Sequence, residues 1–168
     1  MKNLLLAVAF AEIVLLTAPL DAQPATQDVK GCIEGVYVLE EFKRDGEVFR
    51  PPQVAGRYVV LNGVVLFIFH DRTQQSKQTS NIGFGVYTVS STAYTYHYDD
   101  YAIYTSTSDG TSVSRQPPWE GMRPFTLVFE KSEMHLRYAD AQQDILCSLD
   151  GLLVTLGPGS YRKYRRAK

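Results

Sequence analysis

The chain has 168 residues, 45% of them hydrophobic and 21% charged, which suits one globular domain with a substantial core and argues against disorder. Its 17 Lys and Arg against 18 Asp and Glu give a formal charge of −1, so nothing draws it as a whole toward nucleic acid. The unusual feature is aromatic: 11 Tyr and 8 Phe but 1 Trp. Tyrosine, with an apolar body and a hydroxyl that needs a partner, fits a half-buried pleated surface, so the composition already leans toward sheet.

The chain opens with Lys2 and an apolar run from Leu4 to Leu16, followed by Pro19 and Leu20-Asp21-Ala22. This order reads as a signal peptide over residues 1–22, cleaved after Ala22. A membrane anchor fits less well, because a spanning helix needs ~20 apolar residues and Glu12 would be costly inside one. No later stretch is apolar enough to span. The expected protein is therefore exported, periplasmic or secreted, without stable membrane insertion. Removing Lys2, Glu12 and Asp21 leaves equal numbers of positive and negative side chains. Residues 23–33 form a polar lead-in, and residues 34–168 form the domain.

Cys32 and Cys147 lie near opposite ends of the mature chain. An even count in an exported protein points to a disulfide, with two separate buried thiols as the alternative. Closing so long a loop would stabilise by up to about 4–5 kcal/mol.

From Gly35 onward the pattern is strand after strand. Gly35 to Phe42 ends at Asp45-Gly46, and Pro51-Pro52 marks a loop. Arg57 to Leu61 and Val64 to His70 flank Asn62-Gly63, the strongest hairpin signal in the chain. Val64 to Phe69 is apolar throughout, so both of its faces should be covered. A polar loop over Arg72 to Ser80 precedes strands at Ile82 to Val89 and Ala93 to Tyr104. A second loop begins at Asp109-Gly110 and runs through Pro117-Pro118. Phe125 to Lys131 pairs with Met134 to Tyr138, and Ile145 to Leu149 with Leu152 to Leu156 across Asp150-Gly151. The basic end from Arg162 to Lys168 reads as a solvated tail, or less readily as a contact for an anionic surface. Successive hairpins of this kind predict an all-β, antiparallel up-and-down barrel of about eight strands, favoured over a two-sheet sandwich because closure removes the edges.

Catalytic signals are weak. His70, His97 and His135 fall on three different strands without metal-ligand spacing, so structural roles are expected and no metal or other cofactor. There is no serine elbow and no phosphate-cradling glycine loop. Asp99 and Asp100 are adjacent and would point to opposite faces of a strand. The richest segment is Tyr94 to Tyr104. Alternation puts Tyr94, Tyr96 and Tyr98 on one face and Thr95, His97 and Asp99 on the other. A bulge at Asp99-Asp100 would bring Tyr101 and Ile103 onto the tyrosine face. Turned inward, that face lines a ligand pocket; turned outward, it is a partner surface; packing without function is a third reading.

Several short motifs, in order, resemble the bacterial lipocalin-like domain proteins, which are calycin-type barrels. Gly35-Val36-Tyr37 is similar to the G-x-W opening, with Tyr in place of Trp. Gly85-Val86-Tyr87-Thr88-Val89 and then Tyr94-Thr95-Tyr96-His97 resemble the family's central strands. Pro118-Trp119-Glu120-Gly121, with Arg123 and Phe125 behind it, resembles a P-x-W-x-G loop. The resemblance implies a barrel with a small-molecule pocket and implies no activity. It also raises a cation–π pair closing the barrel, with Arg162 or Arg165 over the Tyr37 ring.

The leading functional expectation is a barrel that binds a small hydrophobic or aromatic ligand through Phe67, Phe69, Tyr87, Tyr94, Tyr96, His97, Tyr98 and Trp119. Trp119 is placed near the barrel mouth, with a core anchor as its alternative. The first rival is an isomerase, cyclase or hydrolase using His97 or His70 as a general base beside tyrosine hydroxyls. The second is a protein-binding structural module.

Overall fold

The computed structural model describes residues 26–117, 119–130, 133–138 and 143–168. The proposed signal peptide lies outside the described residues. One helix and twelve strands follow in order: α1 (Thr26–Ile33), β1 (Gly35–Arg44), β2 (Glu47–Phe49), β3 (Val54–Leu61), β4 (Val64–Gln74), β5 (Lys77–Val89) and β6 (Ala93–Thr107). Then come β7 (Gly110–Ser114), β8 (Arg123–Glu130), β9 (Glu133–Tyr138), β10 (Gln143–Cys147), β11 (Gly151–Gly157) and β12 (Ser160–Arg166).

Ten strands form an antiparallel ring, β1-β3-β4-β5-β6-β8-β9-β10-β11-β12, which β12 closes by pairing with β1. β2 and β7 hang outside it as the second arms of hairpins on β1 and β6. The barrel is therefore larger than the expected eight strands. Hairpin turns set its register: Asp45-Gly46 and Asn62-Gly63 carry positive φ at both positions, 54° and 84°, then 51° and 82°, as tight type I′ turns require.

The additional strands come from segments too polar to look like sheet. The basic tail is β12, in which Arg162, Tyr164 and Arg166 alternate with Tyr161, Lys163 and Arg165. Its inward arginines are accommodated because aromatic rings cover their guanidinium faces: Arg162 sits 4.4 Å from the Phe69 centroid and Arg166 5.2 Å from that of Tyr37. The cation over Tyr37 is thus Arg166, not Arg162 or Arg165. The two expected polar loops are instead long hairpin extensions, β4–β5 and β6–β7, held by backbone pairing such as Gln74 with Lys77 and Thr107 with Gly110. β4 is covered on one face only. Val65, Phe67 and Phe69 are buried, whereas Val64 pairs with the exposed Val86 and Leu66 with the exposed Phe84 on the outside.

One end of the barrel is plugged. Helix α1 occupies part of the expected lead-in and buries Val29 and Ile33 completely. The Tyr37 hydroxyl reaches the carbonyls of Cys32 at 2.8 Å and Ile33 at 3.1 Å. Arg166 spans the same helix end, donating to the carbonyls of Glu34 (2.7 Å), Cys32 (2.7 Å) and Gly31 (3.1 Å). These bonds satisfy carbonyls that the helix terminus leaves open. The Cys32–Cys147 disulfide is formed and ties α1 to the end of β10.

Candidate ligand pocket

Strand β6 supplies one wall of the interior, and its register explains how. Phe84 pairs with Asp100 and Gly85 with Tyr98, so Asp99 has no partner on β5 and forms the bulge. The slip places Tyr101, buried to 8% exposure, on the same inner side as Tyr94 and Tyr96. Two glycines of β5 make this possible. A Cβ at Gly85 would lie 1.9 Å from the His97 carbonyl oxygen, and one at Gly83 would lie 2.9 Å from the Tyr101 ring and 3.0 Å from that of Tyr98. Gly85 admits the bulged backbone, and Gly83 leaves room for the two phenols.

Above the plugged end is a cavity of about 240 Å³. Tyr96, Tyr98 and Tyr101 of β6 form one side, with Tyr58 of β3 and Phe67 of β4 next to them. Arg123 and Phe125 of β8, Gln143 and Ile145 of β10, and Val154 and Leu156 of β11 complete most of the wall. Arg162 and Tyr164 of β12 close the circle, and Trp119 reaches in from the segment before β8. The Trp119 ring stands perpendicular to Tyr96 at 5.6 Å and lies 5.3 Å from Tyr98. Tyr96 stacks on Phe125 at 5.8 Å. Among the described residues, the lining holds no His, Asp or Glu.

Burial keeps these phenols neutral. It raises Tyr58, Tyr94 and Tyr98 well above the ordinary tyrosine range, with neighbouring phenols adding to the effect. Tyr96 is pushed up to about 12 by burial, against the opposing pull of the Arg123 and Arg162 charges. Tyr164 is likewise pushed up to about 12 by burial, which the Arg162 charge opposes. At neutral pH the pocket therefore offers hydroxyls and rings, not phenolates.

Of the residues expected to bind ligand, Phe67, Tyr96, Tyr98 and Trp119 line the cavity. Tyr94 is fully buried beneath it, its hydroxyl 2.9 Å from that of Tyr58, so this pair forms the floor. Tyr87 is further down, its ring tilted against that of Tyr94 at 5.9 Å and its hydroxyl donated to the Glu34 carboxylate. Phe69 stands behind the wall, edge-on to Phe42 and under Arg162. His97 is the clear correction. Strand alternation turns it to the outer surface, where it meets the Asp99 carboxylate at 2.6 Å and the Met122 sulfur.

His70 also faces outward and bonds Ser80 at 2.8 Å, while His135 bonds Asp144 at 2.7 Å. Among the described residues no three His, Cys, Asp or Glu side chains gather as a metal would require. The pocket residues not foreseen include Tyr58, Arg123, Arg162 and Tyr164. For the two arginines a signal existed: each stands two residues before an inward aromatic, Phe125 or Tyr164, on the same face of its strand.

The geometry is that of a closed antiparallel β-barrel with an internal cavity. That outline is consistent with a calycin-like barrel. In comparison with known proteins, no family model matches the chain, and neither a curated protein nor a solved structure matches it. The lipocalin likeness accordingly rests on the motifs. No helix among the described residues is long and apolar enough to cross a membrane. The disulfide belongs with an oxidising, exported environment.

Proposed function

We propose that the chain is an exported, lipocalin-like binding barrel, periplasmic or secreted, whose cavity takes a small molecule with an apolar or aromatic body. The observation that carries this reading is the cavity, a ring-lined space closed below by Tyr58 and Tyr94 and bordered by Trp119. A barrel built only for packing would fill that space with aliphatic side chains. The enzyme reading lacks a base here, since His97 and His70 lie on the outside. A partner surface made of the tyrosine row loses its basis, because that row points inward.

Trp119 provides the test, as the single Trp of the chain and part of the lining. Titration with small aromatic and medium-chain aliphatic compounds should produce a saturable change in its emission. Val154→Trp, which fills the cavity from β11, should abolish ligand binding while the barrel still melts cooperatively. A broad panel that yields no saturable binder, with nothing released from the purified protein on denaturation, would overturn the proposal.

A further inference from the structure

Among the described residues, the cavity contains two cations without counter-ions. Arg123 is 7% exposed, and its guanidinium carbon lies over two rings, 4.2 Å from the Trp119 centroid and 4.3 Å from that of Tyr138. Arg162 lies against Phe69 at 4.4 Å and Phe67 at 5.1 Å. In both, the Nε atom is buried without a hydrogen-bond partner. Among the described residues neither side chain enters an ion pair, although Arg44, Arg137 and Arg165 each meet a carboxylate, on Asp71, Glu130 and Glu40.

Contact with a ring engages the face of a guanidinium, whereas its donors all lie in the plane, at the edge. Arg123 sits directly across the ladder from Tyr96, and both arginine charges act on the Tyr96 hydroxyl. The cavity thus presents two pre-oriented donor edges and one excess of positive charge to the same space. Burying like charges without an anion is unfavourable, and the described residues provide none.

We propose that the ligand is an organic carboxylate, its acid group held by Arg123 and Arg162 and its apolar or aromatic body set against the tyrosine wall and Ile145. This rests on the binding-barrel reading and gives it a chemical class. It also accounts for the aromatic stacking: the rings fix both guanidinium groups while leaving their donors unused.

Matched acid and amide pairs test it by calorimetry: cinnamate with cinnamamide, octanoate with octanamide, and indole-3-acetate with indole-3-acetamide. At least one acid should bind about tenfold or more tighter than its amide. Arg123→Met keeps the bulk between Trp119 and Tyr138 and should remove about tenfold of that acid's affinity while leaving its amide within about threefold. Arg162→Leu should act in the same direction. Amides binding as tightly as their acids would overturn the carboxylate inference and leave the binding barrel standing. If no member of any pair binds, while other compounds do shift Trp119 emission, the carboxylate inference also fails alone. If nothing binds at all, both fall.

Discussion

Arginine serves opposite purposes at the two ends of this barrel. At the plugged end, Arg166 covers Tyr37 and spends its terminal nitrogens on three backbone carbonyls, although its Nε remains without a partner. In the cavity, Arg123 and Arg162 are stacked as closely on rings and donate nothing to the protein among the described residues. The phenols differ in the same way. Tyr37 and Tyr87 reach protein acceptors at the helix, whereas Tyr96 borders open space. Cation–π stacking alone therefore does not distinguish a structural arginine from a binding one. The distinguishing observation is whether the in-plane donors are already used.

The largest expected effect concerns the plugged end. The disulfide spans a sequence separation of 115 residues. Replacing both cysteines by serine should cost up to about 4–5 kcal/mol in guanidinium unfolding. A loss below about 1 kcal/mol would mean that α1 is held by Arg166 and its own packing, and that the bridge adds little constraint.

A sharper comparison sets two arginines against each other. Arg166→Met removes charge-assisted bonds to three helix-end carbonyls and should destabilise by about 2–3 kcal/mol. Arg123→Met removes a buried charge that has no counter-ion among the described residues and should leave stability unchanged or raise it by about 1 kcal/mol in ligand-free protein. Both are read from urea midpoints at constant slope. Equal destabilisation by the two substitutions would show that Arg123 is as structural as Arg166, and the contrast between the ends would be lost.

This contrast also marks what the sequence could reveal. Hairpin dipeptides, the disulfide and the shared face of the β6 tyrosines were legible because each follows from a local rule: positive φ, cysteine pairing in an oxidising context, or a period of two. The bulge was legible for the same reason, since Asp99-Asp100 breaks an otherwise regular alternation. β12 was hidden because its inward positions, Arg162 and Arg166, are charged. They are tolerated there only because Phe69 and Tyr37, remote in sequence, supply their covers. The two arginines of the pocket follow that pattern. Arg123 and Arg162 become site residues only once the ring closes and, among the described residues, no carboxylate pairs with them. His97 was counted among the ligand-binding residues because tyrosines surround it in sequence, although alternation already put it on the opposite face, where the structure has it.

The smallest effect distinguishes the floor of the cavity from its wall, where the same chemistry sits at neighbouring inward positions of β6. Tyr94 is fully buried, and its hydroxyl meets that of Tyr58 at 2.9 Å. Tyr94→Phe strands the Tyr58 hydroxyl in the interior, at a cost of about 1–2 kcal/mol for a buried polar group deprived of its partner. Tyr96 is nearly as buried, at 8% exposure, but its ring borders the cavity, where water can replace whatever its hydroxyl loses. Tyr96→Phe should therefore cost less than about 0.5 kcal/mol and change ligand affinity instead. Tyr96→Ala enlarges the cavity and should cost about 3 kcal/mol. Thermal melts of the three variants, each paired with a ligand titration, give both readouts. If Tyr96→Phe destabilises as much as Tyr94→Phe and leaves binding unchanged, the wall is core and the pocket must begin higher in the barrel.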